Sequence, residues 1–146
     1  MSDTIFNAIV SLLRGLNIFS GSDGTRRVYQ FPVAVPDGYP YAVVVFSTLD
    51  SEITDSARDL VTYSYTVSIV GEKFGQEAGL TQANALASMR RTIDDVIAAL
   101  QADNDLGVSG VIRSLPLRAE QGYTDGNSRV IVNLTIAVQT AATITF

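Results

Sequence analysis

Cysteine and histidine are both absent from the 146 residues. Without cysteine the chain has no disulfides, thiolate metal sites, iron–sulfur ligands or thiol nucleophiles. Without histidine it lacks the usual general base and the commonest zinc ligand. Lysine is scarce as well: Lys73 stands alone, and the other nine basic residues are arginines. Ten basic residues against fifteen acidic ones leave a net charge of −5, which argues against a protein that grips nucleic acid through a basic face. Charged residues amount to only 17% and hydrophobic ones to 47%. That balance predicts a chain ordered throughout, with a surface apolar enough to be covered by partners. The length suits a single domain, residues 1–146, burying roughly 70% of its unfolded surface. No apolar run reaches the length of a membrane span, so no membrane partner is expected. The apolar stretch 5–16 follows Asp3, lacks a basic leader and is interrupted by Asn7, Ser11 and Arg14, unlike a secretory signal. The expectation is a mature protein equal to the whole chain, made and kept in a cytoplasm.

Periodicity supplies the elements. Residues 3–18 read as an amphipathic helix: Ile5, Phe6, Ile9, Leu12, Leu13 and Leu16 fall within an arc of about 120°, with Ser2 or Asp3 as cap and Asn17 as the closing residue. A loop over 20–25 precedes a short strand at 26–31. Pro32, Pro36, Asp37-Gly38 and Pro40 then predict turns. The run 41–47 reads as a buried strand, and 48–60 as a polar, acidic connection. Residues 61–70 alternate strictly, with Val61, Tyr63, Tyr65, Val67 and Ile69 on one face and Thr62, Ser64, Thr66 and Ser68 on the other. The second face is expected to be wet or set against another subunit. A glycine-punctuated turn at 71–79 leads to a long helix at 80–102, capped by Thr81, whose apolar arc is Leu86, Met89, Ile93, Val96, Ile97 and Leu100. A strand at 111–118 holds Pro116 and is therefore an edge or a bulge. A ten-residue hairpin connection over 119–128 follows, then an alternating strand at 129–140 and an extended tail at 141–146. The order predicts an α+β fold. It is a two-layer sandwich, a mostly antiparallel or mixed sheet of about four to five strands with two helices packed on one face.

Candidate chemistry is thin. Gly71-Glu-Lys-Phe-Gly75 lies between a strand and a helix, but Lys73 is followed by Phe74 where a phosphate loop needs Ser or Thr. Asp103-Asn-Asp105 opens like a calcium loop, yet the sixth and twelfth positions hold Val108 and Ser114 instead of Gly and Glu. Asp50, Glu52, Asp55 and Asp59 share the acidic connection, where carboxylates on one mobile loop are not preorganised for catalysis or metal binding. Six tyrosines without interleaved basic residues suit core and interface better than base stacking. No catalytic, cofactor or metal site is therefore expected.

Several features combine into a layout: the helix at 5–16, the proline-introduced strand PYAVVVF at 40–46 and the aromatic alternating strand YSYTVSI at 63–69. The helix ending IDDVIAAL at 93–100 and the closing strand at 130–138 complete it. This layout resembles the tail terminator (tail-completion) proteins of long-tailed bacteriophages and phage-like particles. The resemblance spans nearly the whole chain and rests on layout, with no residue-specific signature. It implies a non-enzymatic virion protein forming a six-subunit ring. Such a ring caps the head-proximal end of the tail tube, stops polymerisation and joins the tail to the head–tail connector (stopper) protein. DNA passes through its lumen without specific binding. Assembly in the host cytoplasm and final residence in the virion tail go with that role. On this reading Asp50, Glu52, Asp55 and Asp59 are expected to face the lumen or the tail tube protein. Tyr123, Asp125, Asn127, Thr143, Thr145 and Phe146 are the candidate contacts to sister subunits or partners. Two readings compete: another neck, connector or tail component of such a particle, and a small non-viral ligand-binding or enzymatic α+β domain.

Overall fold

Alternation along one strand organises the molecule. In the computed structural model, which describes residues 2–19, 27–32, 36, 38–53, 58–75 and 78–143 (backbone alone at 2, 50–53, 58–59 and 141–143), the central strand β3 spans Arg58–Lys73. Tyr65, Val67 and Ile69 are fully buried, while Thr62, Ser64, Thr66 and Ser68 are half-buried on the opposite face. β1 (Val28–Tyr29), β2 (Tyr41–Ile53), β4 (Val111–Thr124) and β5 (Arg129–Thr143) complete one sheet in the order β1-β2-β3-β5-β4. The sheet is mixed: β1 pairs parallel to β2, and the three other pairings are antiparallel. β5 repeats the alternation, with Val130, Val132, Leu134, Ile136 and Val138 all buried.

Two helices cover the apolar face. α1 (Ser2–Arg14) buries Ile5, Ile9 and Leu13 completely, and Phe6 packs against Tyr65 with ring centroids 6.2 Å apart. Gly15 follows, where helix propensity drops, so α1 stops short of residue 18 and a single 3₁₀ turn carries Asn17–Phe19. The Arg14 guanidinium donates to the Val28 carbonyl at 3.0 and 3.3 Å, tying the helix end to β1. α2 (Gln82–Ala102) starts at Thr81, whose hydroxyl accepts the Asn84 N–H at 3.1 Å, as the sequence indicates. Its buried stripe is Ala85, Met89, Thr92, Val96 and Leu100, rotated from the expected arc, with Leu86 and Ile93 at the margin of the core. Thr92 is tolerated there because its hydroxyl donates to the Ser88 carbonyl at 3.0 Å. Close approach is possible at Gly71, where an added Cβ would lie 3.2 Å from Met89 Cε. Burying an aliphatic side chain contributes about 1.5–3 kcal/mol, so this shared core between helices and sheet dominates the fold.

Several expected boundaries move. Residues 48–53 and 58–60, expected in a loop, are strand: β2 runs on to Ile53 and β3 begins at Arg58. The stretch 119–128 is mostly strand, leaving only residues 125–128 as the turn. Asp125, Gly126 and Asn127 take positive φ there (55°, 65° and 63°), the conformation that Gly, Asn and Asp enter most readily. The expected strand at 26–31 shrinks to Val28–Tyr29. Part of 71–79 is strand too, since Gly71, Glu72 and Lys73 end β3 and Gly75 bridges to Leu80. Nor is 41–47 buried throughout, because Val45 and Phe46 are each 43% exposed.

Candidate interaction surface

The strand that carries the core also separates the candidate residues. β3 is 16 residues long, roughly 50 Å at ~3.3 Å per residue. At one end it pairs Asp59 with Ile53 and Ala142; at the other, Lys73 pairs with Arg129. The acidic residues Asp50, Glu52 and Asp59 belong to the first end, and the β4–β5 turn belongs to the second. Asp50 and Glu52 fall opposite Thr62 and Leu60 on β2, in the alternate phase to Asp59 on β3. The expected acidic loop is thus an extended β-hairpin arm, held by ladder hydrogen bonds. Asp55 lies outside the described residues. Thr143, paired with Arg58, closes β5 beside the arm; Thr145 and Phe146 also lie outside the described residues.

Tyr123, Asp125 and Asn127 come together at the turn end. Tyr123 is 40% exposed; its hydroxyl accepts from Gln82 Nε2 at 3.1 Å and its ring meets Phe74 edge-on. Asp125 accepts from Arg129 Nε at 3.1 Å. The same guanidinium donates to the Gly71 carbonyl at 3.2 Å and lies 3.7 Å from the Tyr39 ring centroid. Tyr39 in turn packs on Tyr41, and Tyr41 on Tyr29. Burial and the neighbouring Tyr39 push the Tyr41 phenol above its ordinary pKa, against the opposing pull of Arg129. Of the six tyrosines expected in core and interface, three gather here; the turn signals between 32 and 40 are the available hint that the chain folds back to bring them together.

The face of the sheet away from the helices has a character of its own. On its two central strands it presents Thr62, Ser64, Thr66, Ser68, Ile131, Asn133, Thr135, Ala137 and Gln139, none of them charged. Side chains bond across this face: Ser68 donates to Asn133 Oδ1 at 2.6 Å, and Ser47, the extra residue of a bulge in β2, bonds Thr66 at 2.8 Å. On the flank, Arg113 Nε donates to Gln139 Oε1 at 2.7 Å.

The two motif fragments have structural roles. Lys73 ends a strand, and the Asp103 N–H closes α2 by donating to the Ala99 carbonyl at 3.1 Å. Asp105 accepts the Gly107 N–H at 2.9 Å. Among the described residues no group of three or more acidic side chains gathers to hold a metal ion, and no helix is long and apolar enough to cross a membrane. A hollow of about 100 Å³ lies beneath Pro40, between Gly71, Leu80, Met89 and Val130; larger ones of about 360 and 480 Å³ open beside Phe46 and Phe74.

No protein-family profile matches the sequence, and no curated protein matches it. The fold does match solved structures. One is a chain of the virion of a native gene transfer agent (GTA) particle, with a TM-score of 0.63 at 18% identity. The likeness covers 94% of this chain and 95% of the other.

Proposed function

We propose that this chain is a structural subunit of a phage-like virion and, within it, the tail terminator. In that role six copies form a ring on the head-proximal end of the tail tube, stop its growth and present the surface that meets the connector. The end-to-end fold likeness to a chain of a gene transfer agent virion carries the reading. Two further observations support it. The sheet carries unlike chemistry at its two ends, an acidic hairpin arm and a tyrosine–arginine turn. A ring that sits between a tube and a connector needs two such unlike rims. The net charge of −5 also suits a lumen through which DNA slides without sticking.

Electron microscopy of the purified chain, alone and mixed with tail tubes, tests the proposal. Closed six-fold rings that dock on one tube end and prevent elongation are the expected result. A chain that polymerises into tubes would instead be a tube component, and one that neither closes nor binds tube ends would overturn the assignment.

A further inference from the structure

The large apolar side chains left exposed among the described residues are not scattered. Val45, Phe46 and Leu49 lie on β2, Ile112, Leu117 and Tyr123 on β4, and Phe31 just beyond β1. All seven lie along the two outer edges of the one sheet. Neither edge is closed by a described strand. β1 pairs only with Ala42 and Val43, and no other described strand pairs with the outer side of β2 from Val44 to Ile53. β4 is the other outermost strand over its whole length. An open edge presents a row of unpaired backbone donors and acceptors, and proteins usually blunt it with charge, proline or bulges. β4 carries such devices in Pro116 and two register shifts. The 44–49 segment of β2 has no charge, proline or glycine and only the bulge at Ser47 to blunt it, which leaves it the better acceptor for a strand.

We infer that the outer edge of β2 in one copy pairs with the outer edge of β4 in the next, making the sheet continuous between subunits. Strand directions suit this. β2 is antiparallel to β3, β3 to β5 and β5 to β4, so β2 and β4 run opposite ways within a subunit. Rotation about an axis along the strands keeps those directions, and the joint is therefore antiparallel, the slightly stronger pairing. The joint covers apolar residues of both edges on both faces. Charge agrees as well: the charged residues of β2 are Asp50 and Glu52, and β4 brings Arg113 and Arg118 beside Glu120. Because two different edges meet, the contact is heterologous and propagates until rotation closes it. This inference rests on the ring reading above and names the surfaces that build the ring.

Two variants test it: Val45→Lys with Leu49→Lys on one edge, and Ile112→Glu with Leu117→Glu on the other. Native mass spectrometry and sedimentation read assembly, and circular dichroism checks folding. Each variant alone is expected to need about 100-fold or more concentration to assemble, whereas an equimolar mixture recovers assembly through opposite charges at one joint and two native edges at the other. If both variants still form rings alone, the edge pairing is wrong and the ring stands. If only the β2 variant fails, β2 meets β2 and the inference is overturned. A wild-type chain that stays monomeric overturns the ring reading and the pairing together. Should a variant misfold, cysteine substitution provides the second measurement. The chain has no native cysteine, so Phe46→Cys with Leu117→Cys joined by a bifunctional maleimide should give a ladder of covalent multimers. Absence of the ladder from assembled wild-type-like rings would count against the pairing.

Discussion

Tyr65 illustrates how one side chain ties the core to pH. It is fully buried between Phe6 and Phe46. Burial, with Tyr63 and Asp3 nearby, raises its phenol well above the ordinary tyrosine value. The unfolded chain loses this proton near pH 10 while the folded chain keeps it. Above that pH the native state therefore binds more protons, and stability falls as pH rises. Urea unfolding midpoints measured upward from pH 8 should hold level and then decline above about pH 10, by at most ~1.4 kcal/mol per pH unit from this group. Tyr65→Phe should flatten the decline, and an unchanged alkaline slope would show that other groups cause it. Thr81 is a second residue with a separable task. Thr81→Ala removes the acceptor for the Asn84 N–H and should lower stability by about 1 kcal/mol, read as a lower urea midpoint with an unchanged slope.

At the scale of elements, what could be read depended on whether a pattern is local. β3 and β5 announce themselves because every second residue from Tyr63 to Ile69 and from Val130 to Val138 is apolar, the signature of a half-buried strand. Thr81 announces α2 because capping involves only its own next turn. The arm carries no such signal: residues 50–53 and 58–59 are largely polar, and they are extended because Asp50 meets Thr62 and Arg58 meets Thr143. Those partners are invisible to a local pattern. The same holds for 119–124, whose pairing to 129–134 overrides its polar, glycine-containing sequence. β1 fails in the other direction, since a short strand needs a neighbour and only Ala42 and Val43 supply one. The turn at Asp125, Gly126 and Asn127 was legible from turn chemistry. The apolar edges were not, because Val45 and Phe46 read like any buried run and are exposed only by lying where β1 ends.

For the whole molecule, the roughly 50 Å between arm and turn makes a functional prediction about the acidic end. Reversing Asp50, Glu52, Asp55 and Asp59 to Lys changes that end from anionic to cationic and leaves the turn untouched. Infectious titre, or gene transfer for a non-replicating particle, should fall on the order of tenfold or more, as mismatched charge slows docking. Normal titre with such a variant would mean that the arm faces neither the lumen nor the tube. The placement of both helices on a single side of the sheet has a further result. Helices on one side make that side bulkier than the bare pleat. In the proposed ring, joining subunits along their sheet margins would curve the assembly toward the bare side, so the hydroxyl and amide face of β3 and β5 would line the bore. From Thr62 to Ser68 and from Asn133 to Gln139, that face would meet a passing polyanion with hydroxyls and amides and no charge.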